Sequence, residues 1–278
     1  MKKLSLALLL AVAVAGCSSA KKKEDVAPAP AALPKTIEEA VNSPFRTPEN
    51  KVRDQYRHPI ETLQFFGLEP QMTVVEVSPG GGWYMEILAP LLTERGLYIA
   101  AAPPASGNAY MTTLNAKTAA WMDKHPQVKE KAQFSVLDPK GKAEIAAPGM
   151  ADMVVTFRNV HNWMGAKAEK EMFKEFFRAL KPGGTLGVVE HRANPKGKTD
   201  PKSGYVKEAD VIKLAQNAGF KLVAKSEINA NANDTKDHPE GVWTLPPSLK
   251  LGETDKAKYL AIGESDRMTL KFVKPIKK

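Results

Sequence analysis

The chain has 278 residues, 43% of them apolar and 26% charged, with a formal net charge of +9 at neutral pH. That length suffices for one large α/β domain or two small ones, and a single cysteine, Cys17, excludes a fold held by internal disulfides. The basic surplus is scattered and forms no stripe that would follow a phosphate backbone, so nucleic acid is not an expected partner.

At the N-terminus, Lys2 and Lys3 precede an apolar stretch from Leu4 to Ala15, which ends in Val14-Ala15-Gly16-Cys17. The stretch is too short to span a bilayer as a helix and has the layout of a secretory signal. It resembles a bacterial lipoprotein signal, which implies a signal peptide of residues 1–16, a lipid on Cys17 and a periplasmic domain held at a membrane. Ser18 in place of Asp implies the outer membrane, with the inner membrane left open; the other reading is an ordinary signal with an incidental cysteine. Removing residues 1–16 leaves 262 residues, and the loss of Lys2 and Lys3 lowers the net charge from +9 to +7. Residues 17–35, with Lys21-Lys22-Lys23 and an Ala/Pro alternation, cannot bury apolar surface and form a flexible tether. The lysines either touch anionic head groups or are a solvated charge run.

The domain, 36–278, alternates helical patterns with short apolar runs, as expected for an α/β sheet covered by helices on both faces. A helix is predicted over Ile60–Phe66, strands over Met72–Val77 and Gly96–Ala102, and a helix over Trp83–Leu92 between them. Next come a helix over Asn115–Lys124 and strands over Gln133–Leu137 and Met153–Phe157. From Lys167 to Leu180 the residues Met172, Phe173, Phe176, Phe177 and Leu180 share one helical face, which makes them core, and Lys181-Pro182-Gly183-Gly184 stops the helix. Thr185–Glu190 reads as a strand buried on both faces, Glu208–Ala218 as a helix, Phe220–Ser226 as a strand, and Met268–Val273 closes the domain. Residues 228–267 have no strong period and are expected to form a lid or binding loop.

The most informative stretch is Val74-Val75-Glu76-Val77-Ser78-Pro79-Gly80-Gly81-Gly82-Trp83-Tyr84, an apolar strand entering a glycine turn before a helix. Glycines allow a close backbone approach to a ligand, and the helix N-terminus supplies amides. Met85 stands where a dinucleotide fingerprint needs Gly or Ala, and the endings of a P-loop and of a serine nucleophile elbow are both lacking. What remains resembles the first motif of class I S-adenosylmethionine-dependent methyltransferases, with Ser78 in place of the first glycine. Ala151-Asp152-Met153-Val154-Val155 resembles that family's fourth strand, and Leu180-Lys181-Pro182-Gly183-Gly184 its turn before the fifth. The resemblance covers Val52 to Lys274. Within it, Arg57-His58-Pro59, Pro79–Tyr84 and Gly263-Glu264-Ser265-Asp266-Arg267 look like a group of predicted bacterial methyltransferases of undetermined substrate.

The resemblance implies a Rossmann-like, mostly parallel seven-stranded sheet with a last antiparallel strand, and S-adenosyl-L-methionine as cofactor. It implies that Glu76, Ser78, Gly80, Gly81 and Gly82 hold the methionine end, with Trp83 beside them. Asp138 either accepts from the adenine amine or is a turn residue before Pro139. Ligands of open α/β sheets lie outside the carboxyl ends of the strands, which gathers the glycine turn, Asp138, Asn159, Val160, His161, Asn162, Trp163, His191 and Arg192 around one crevice. Asn159 is assigned to the cofactor, His161 with Asn162 to catalysis, and Trp163, His191 and Arg192 to the acceptor. His161 is the candidate base, since imidazole titrates near neutrality, or it is a structural histidine. Arg192 is either an anion contact or a surface charge, and the tryptophans are either stacking faces or core. His161 and His191 lack a third ligand at metal spacing, so no metal is expected.

The second strand ends Tyr98-Ile99-Ala100-Ala101-Ala102-Pro103, without the acid that in this family grips the ribose hydroxyls. Two readings follow: a methyltransferase-like lipoprotein acting on a small or envelope-associated acceptor, and a non-catalytic binding module of the cell envelope on the same fold.

Overall fold

The computed structural model describes residues 31–104, 109–138, 144–197 and 199–276. The predicted signal peptide, Cys17 and most of the predicted tether lie outside these residues. Ala31 and Leu33, expected in the tether, pack against the domain core instead. Their neighbourhood is fixed by Gln127 Nε2, which donates to Ala31 O at 3.3 Å, and by Arg95, which donates to Lys35 O at 3.2 Å. No helix among the described residues is long and apolar enough to cross a membrane.

In chain order the elements are α1 (Ile37–Asn42), α2 (Pro48–Lys51), α3 (Asp54–Arg57), α4 (Pro59–Phe66), β1 (Thr73–Val77), α5 (Met85–Leu92), β2 (Leu97–Ala102), α6 (Ala109–Lys124), α7 (Pro126–Lys129) and β3 (Gln133–Val136). They continue with β4 (Ala151–Phe157), α8 (Val160–Gly165), α9 (Glu169–Ala179), β5 (Leu180–His191), α10 (Glu208–Asn217), β6 (Lys221–Ser226), a 3-10 turn at Gly241–Thr244, α11 (Lys256–Ile262) and β7 (Arg267–Val273). Seven strands form one sheet in the order β3-β2-β1-β4-β5-β7-β6, all parallel except β7, which runs antiparallel to both of its neighbours. This is the α/β architecture expected from the sequence.

Alternate residues of the central strands feed two separate cores, as the period of two requires. Val74, Tyr98, Met153 and Val155 pack beneath α1, α4, α5 and the C-terminal half of α6. Val75, Ile99, Val154 and Val188 pack beneath α8, α9 and α10. Helix α5 is buried at every position, so it carries no polar face. Gly187 of β5 makes room for α4: a Cβ there would lie 2.7 Å from Phe66 Cδ2.

Three boundaries differ from the sequence reading. Helix α5 is assigned from Met85 rather than Trp83, although its first i→i+4 bond already joins Glu86 N to Gly82 O at 3.0 Å. Leu180 to Gly184 belongs to β5 as a bulge with Lys181, Pro182 and Gly183 exposed, because Leu180 pairs with Ala151 and the ladder resumes at Thr185 opposite Met153. The segment 228–267 is largely folded, with buried Asn229, Asp234, Thr244, Leu245 and Tyr259 and the helix α11, which is too short to impose a visible period.

Candidate functional site

The chain turns sharply where β1 ends. Ser78, Gly80 and Gly82 have φ of 54°, 60° and 85°. Ser78 thus adopts the left-handed conformation that a glycine at its position would take freely, a strain of the sort that gathers at ligand sites. Its amide donates to Ala101 O of β2 at 2.8 Å, which pins the turn to the sheet. Among the described residues, a Cβ built on Gly80 meets nothing within 4 Å, whereas one on Gly81 touches Leu114 at 3.6 Å and one on Gly82 meets Met85 Cε at 2.8 Å. Among the described residues, therefore, no side chain fills the space at the Gly80 Cβ position. Helix α6 walls one side, with Thr118 Oγ1 donating to Gly80 O at 3.3 Å.

The other residues assigned to the cofactor are placed unevenly around this turn. Glu76 is 2% exposed and accepts from the Tyr98 hydroxyl at 2.7 Å. Burial raises its carboxyl to about 7 against the opposing pull of Tyr98 and of Arg158. Asn159 acts as a strut: its Nδ2 donates to Val77 O at 3.1 Å, to Ser78 O at 3.4 Å and to Thr156 Oγ1 at 3.1 Å. It ties the loop after β4 to the glycine turn. Asp138 is exposed beyond β3, and β2 ends in alanines. Trp83 lies beneath the guanidinium groups of Arg46 and Arg57, at 4.8 and 4.6 Å, and donates through Nε1 to Asn50 O at 2.9 Å.

Two residues past Asn159, His161 is 5% exposed, and its Nδ1 lies 3.1 Å from Glu190 Oε1. Glu190, at the end of β5, also accepts from Val160 N at 2.5 Å and His161 N at 3.3 Å through Oε2, and from His191 N at 2.7 Å through Oε1. A carboxylate taking bonds from three amides is an acceptor toward Nδ1 as well, so His161 carries its proton on Nδ1 and its lone pair on Nε2. Trp243, from the 228–267 segment, sets its ring edge-on to His161 at 5.8 Å. Trp243 also lines a cleft of about 560 Å³ together with Asp200, Ser203, His238 and Lys250. His191 Nδ1 lies 2.5 Å from Ser265 Oγ. Burial, then the nearby His161, Arg267, Arg158 and Arg57, hold His191 well below the usual imidazole range, so it is neutral.

His161, Glu190 and His191 present ligand atoms within 4.8 Å of one another, so the third donor that the sequence did not reveal is Glu190. Both of its oxygens already accept two N–H groups each from the polypeptide, however, and His161 turns Nδ1 toward that same carboxylate. The geometry is that of a base and its orienting acid.

Beside the histidines lie Arg53, Arg57, Arg158 and Arg267 around Glu264. Arg53 Nε donates to Glu264 Oε1 at 2.6 Å, Arg267 Nη2 donates to Glu264 Oε2, and Arg57 Nε stands 3.5 Å from Oε2. Burial raises the Glu264 carboxyl, yet Arg267, Arg57 and Arg53 together hold it well below the carboxylate range. Tyr84, stacked on Phe157 at 3.5 Å, is raised by burial to about 12. Arg158, with φ of 62°, is lowered by burial and by Arg267 to about 10. The short runs 57–59 and 263–267, which drew attention in the sequence, meet here; Arg158, Glu190 and Trp243 had no local signal.

The remaining catalytic candidate, Asn162, and two of the acceptor candidates, Trp163 and Arg192, fall elsewhere. Asn162 is exposed on α8. Trp163 is packed in the core against Phe176 at 5.3 Å. Arg192 is engaged by Asp266 at 3.0 Å, Glu227 at 2.6 Å and Glu208 at 3.7 Å. Its guanidinium is a fully partnered structural charge.

No family model and no curated protein matches the chain. Solved structures do resemble it. The [4+2]-cyclase SpnF matches with a TM-score of 0.57 at 14% identity, covering 82% of this chain and 81% of the cyclase. An S-adenosylmethionine-dependent methyltransferase from Aquifex aeolicus matches with a TM-score of 0.52 at 18% identity, over 69% of this chain and 93% of that one. At such identities the likeness is one of fold, and a cyclase on the same fold shows that chemistry must be argued from the site. The chain therefore has the Rossmann-like fold of the class I methyltransferases, with a glycine turn, a Glu190–His161 pair and an arginine cluster at one edge of its sheet.

Proposed function

We propose that this chain is a lipid-anchored S-adenosylmethionine-dependent methyltransferase of the cell envelope, held at the outer membrane, acting on a small or envelope-associated acceptor.

 The one observation that carries this reading is the shared edge: Asn159 Nδ2 reaches Val77 O at 3.1 Å, which sets the His161–Glu190 pair next to a glycine turn whose Gly80 faces open space.

When bound, S-adenosylmethionine supplies a methyl group on a sulfonium, and an in-line displacement needs two positioned reactants and a sink for the acceptor's proton. Ser78, Gly80, Gly81 and Gly82 would hold the amino-acid end through backbone amides, since a side chain at Gly80 would occupy that space. Glu190 keeps Nδ1 of His161 engaged, so Nε2 is the atom that takes the proton. Trp243, edge-on to His161, also lines the cleft from which the acceptor would approach.

The alanine ending of β2 favours a second reading, a binding module without turnover, because a lost charge-assisted bond to the ribose weakens binding by roughly ten- to a hundredfold. Calorimetric titration of the folded protein with S-adenosylmethionine and S-adenosylhomocysteine tests the proposal. Saturable heat with both is expected. No heat with either refutes methyl transfer.

A further inference from the structure

The arginine cluster is short of negative charge. Arg57 and Arg267 are 3% and 2% exposed, and the Nε atoms of both are buried without a hydrogen-bond partner. Arg57 lies 3.5 Å from Glu264 without hydrogen-bond geometry, and among the described residues neither its guanidinium nor that of Arg158 donates a hydrogen bond. Four guanidinium groups thus share one carboxylate, Glu264. Glu76, which feels Arg158, is bonded to Tyr98, and burial raises it to about 7, so it compensates Arg158 only in part. An unpaired Nε alone is no mark of a site, since Arg46 has one beside Asp54 and Glu86, and Arg267 also donates through Nη1 to Tyr56 O at 2.9 Å; what sets the cluster apart is its shortage of acids, for Arg192 alone has Asp266, Glu227 and Glu208.

We propose that Arg53, Arg57, Arg158 and Arg267 are the receptor for an anionic group, a carboxylate or phosphate, on the methyl acceptor. The inference rests on methyl transfer at the glycine turn and names the acceptor's chemical class. Planar guanidinium forks match the paired oxygens of such groups, which a chloride ion lacks. The side chain of Arg53 is 23% exposed and Arg158 is half-buried, so two of the four arginines reach the surface. The cluster belongs to the acceptor side because it surrounds the ends of β4, β5 and β7: Arg158 precedes the Asn159–His161 loop, Arg267 opens β7 opposite His191, and His191 feels Arg267, Arg158 and Arg57.

The probe is inorganic phosphate, titrated calorimetrically into the full chain at constant ionic strength, with thermal unfolding recorded in parallel. Wild type should give saturable heat, and Arg158→Gln should bind at least tenfold more weakly, as expected for one lost charge-assisted bond. Phosphate stabilises many proteins by exclusion from their surfaces, so the thermal readout is the difference between wild type and variant. Without phosphate, Arg158→Gln should melt at the same temperature as wild type or higher, since a like charge has left the cluster. A structural arginine would instead lower it. Absence of binding to wild type, or equal binding by Arg158→Gln, overturns the proposal.

Saturating S-adenosylhomocysteine separates the two sites. An unchanged phosphate affinity supports an acceptor receptor, and displacement of phosphate overturns it by assigning the cluster to the cofactor's own carboxylate. Phosphate binding that depends on Arg158, without any heat from S-adenosylhomocysteine, refutes methyl transfer and leaves an anion receptor, so the two failures are told apart.

Discussion

Substituting Gly80 by valine separates ligand binding from folding. Gly80 sits at φ of 60°, and a Cβ there meets nothing within 4 Å among the described residues, so the new side chain has no neighbour to displace. The cost to the fold is the left-handed backbone alone, roughly 1–2 kcal/mol. For a domain of this size that is a fall of about 2–8 °C in melting temperature. The cost to cofactor binding is far larger, because the valine methyls fill the space assigned to the methionine end. A loss of at least a hundredfold, about 2.7 kcal/mol, is expected. Calorimetry with S-adenosylhomocysteine reads the affinity, and far-UV circular dichroism with a thermal melt confirms the fold. Gly252→Val is the control, since Gly252 has the same left-handed backbone, φ of 62°, with nothing within 4 Å of its Cβ among the described residues, and lies outside the glycine turn. A folded Gly80→Val protein that binds S-adenosylhomocysteine within threefold of wild type would refute the placement of the cofactor.

His161→Ala should lower methyl transfer by about 10²- to 10⁴-fold while leaving cofactor affinity nearly unchanged; incorporation of labelled methyl into an envelope extract measures it, and equal incorporation would make His161 scaffold. Glu76 stays protonated in the fold up to about pH 7, against 4.5 as its ordinary value, so the stability it contributes is complete below pH 4.5 and is lost as pH rises through 7. That difference corresponds to roughly 3 kcal/mol. Glu76→Gln should therefore be more stable than wild type at pH 8 by denaturant titration and should lack much of the decline between pH 5 and 8. Gly187→Ala should destabilise by about 1–3 kcal/mol, because its Cβ would lie 2.7 Å from the Phe66 ring; Phe66→Leu in the same protein should restore part of the loss.

Local patterns made the sheet legible. Runs such as Val74-Val75 and Val154-Val155 can be buried on both faces only inside a parallel sheet, and Phe173 and Phe176 share one helical face, so strands and covering helices could be read without knowing what they pack against. The glycine turn was legible for the same reason: the need for positive φ is written in the residue type, and Ser78 is the one position within the turn where the fold imposes it on a side chain. The tertiary structure decided the roles of the polar residues. Glu190 looked like the last residue of a buried strand and became the partner of His161, 29 residues away in sequence. Arg192, beside His191, was the arginine that the sequence offered to an anion, yet three carboxylates neutralise it, while Arg53 and Arg57 cross 211 and 207 residues to share Glu264 with Arg267. Backbone conformation and apolar burial follow from residues close in sequence, so the chain itself determines them. The balance of charge in a buried cluster depends on which distant side chains arrive without a partner, and only the folded arrangement decides that.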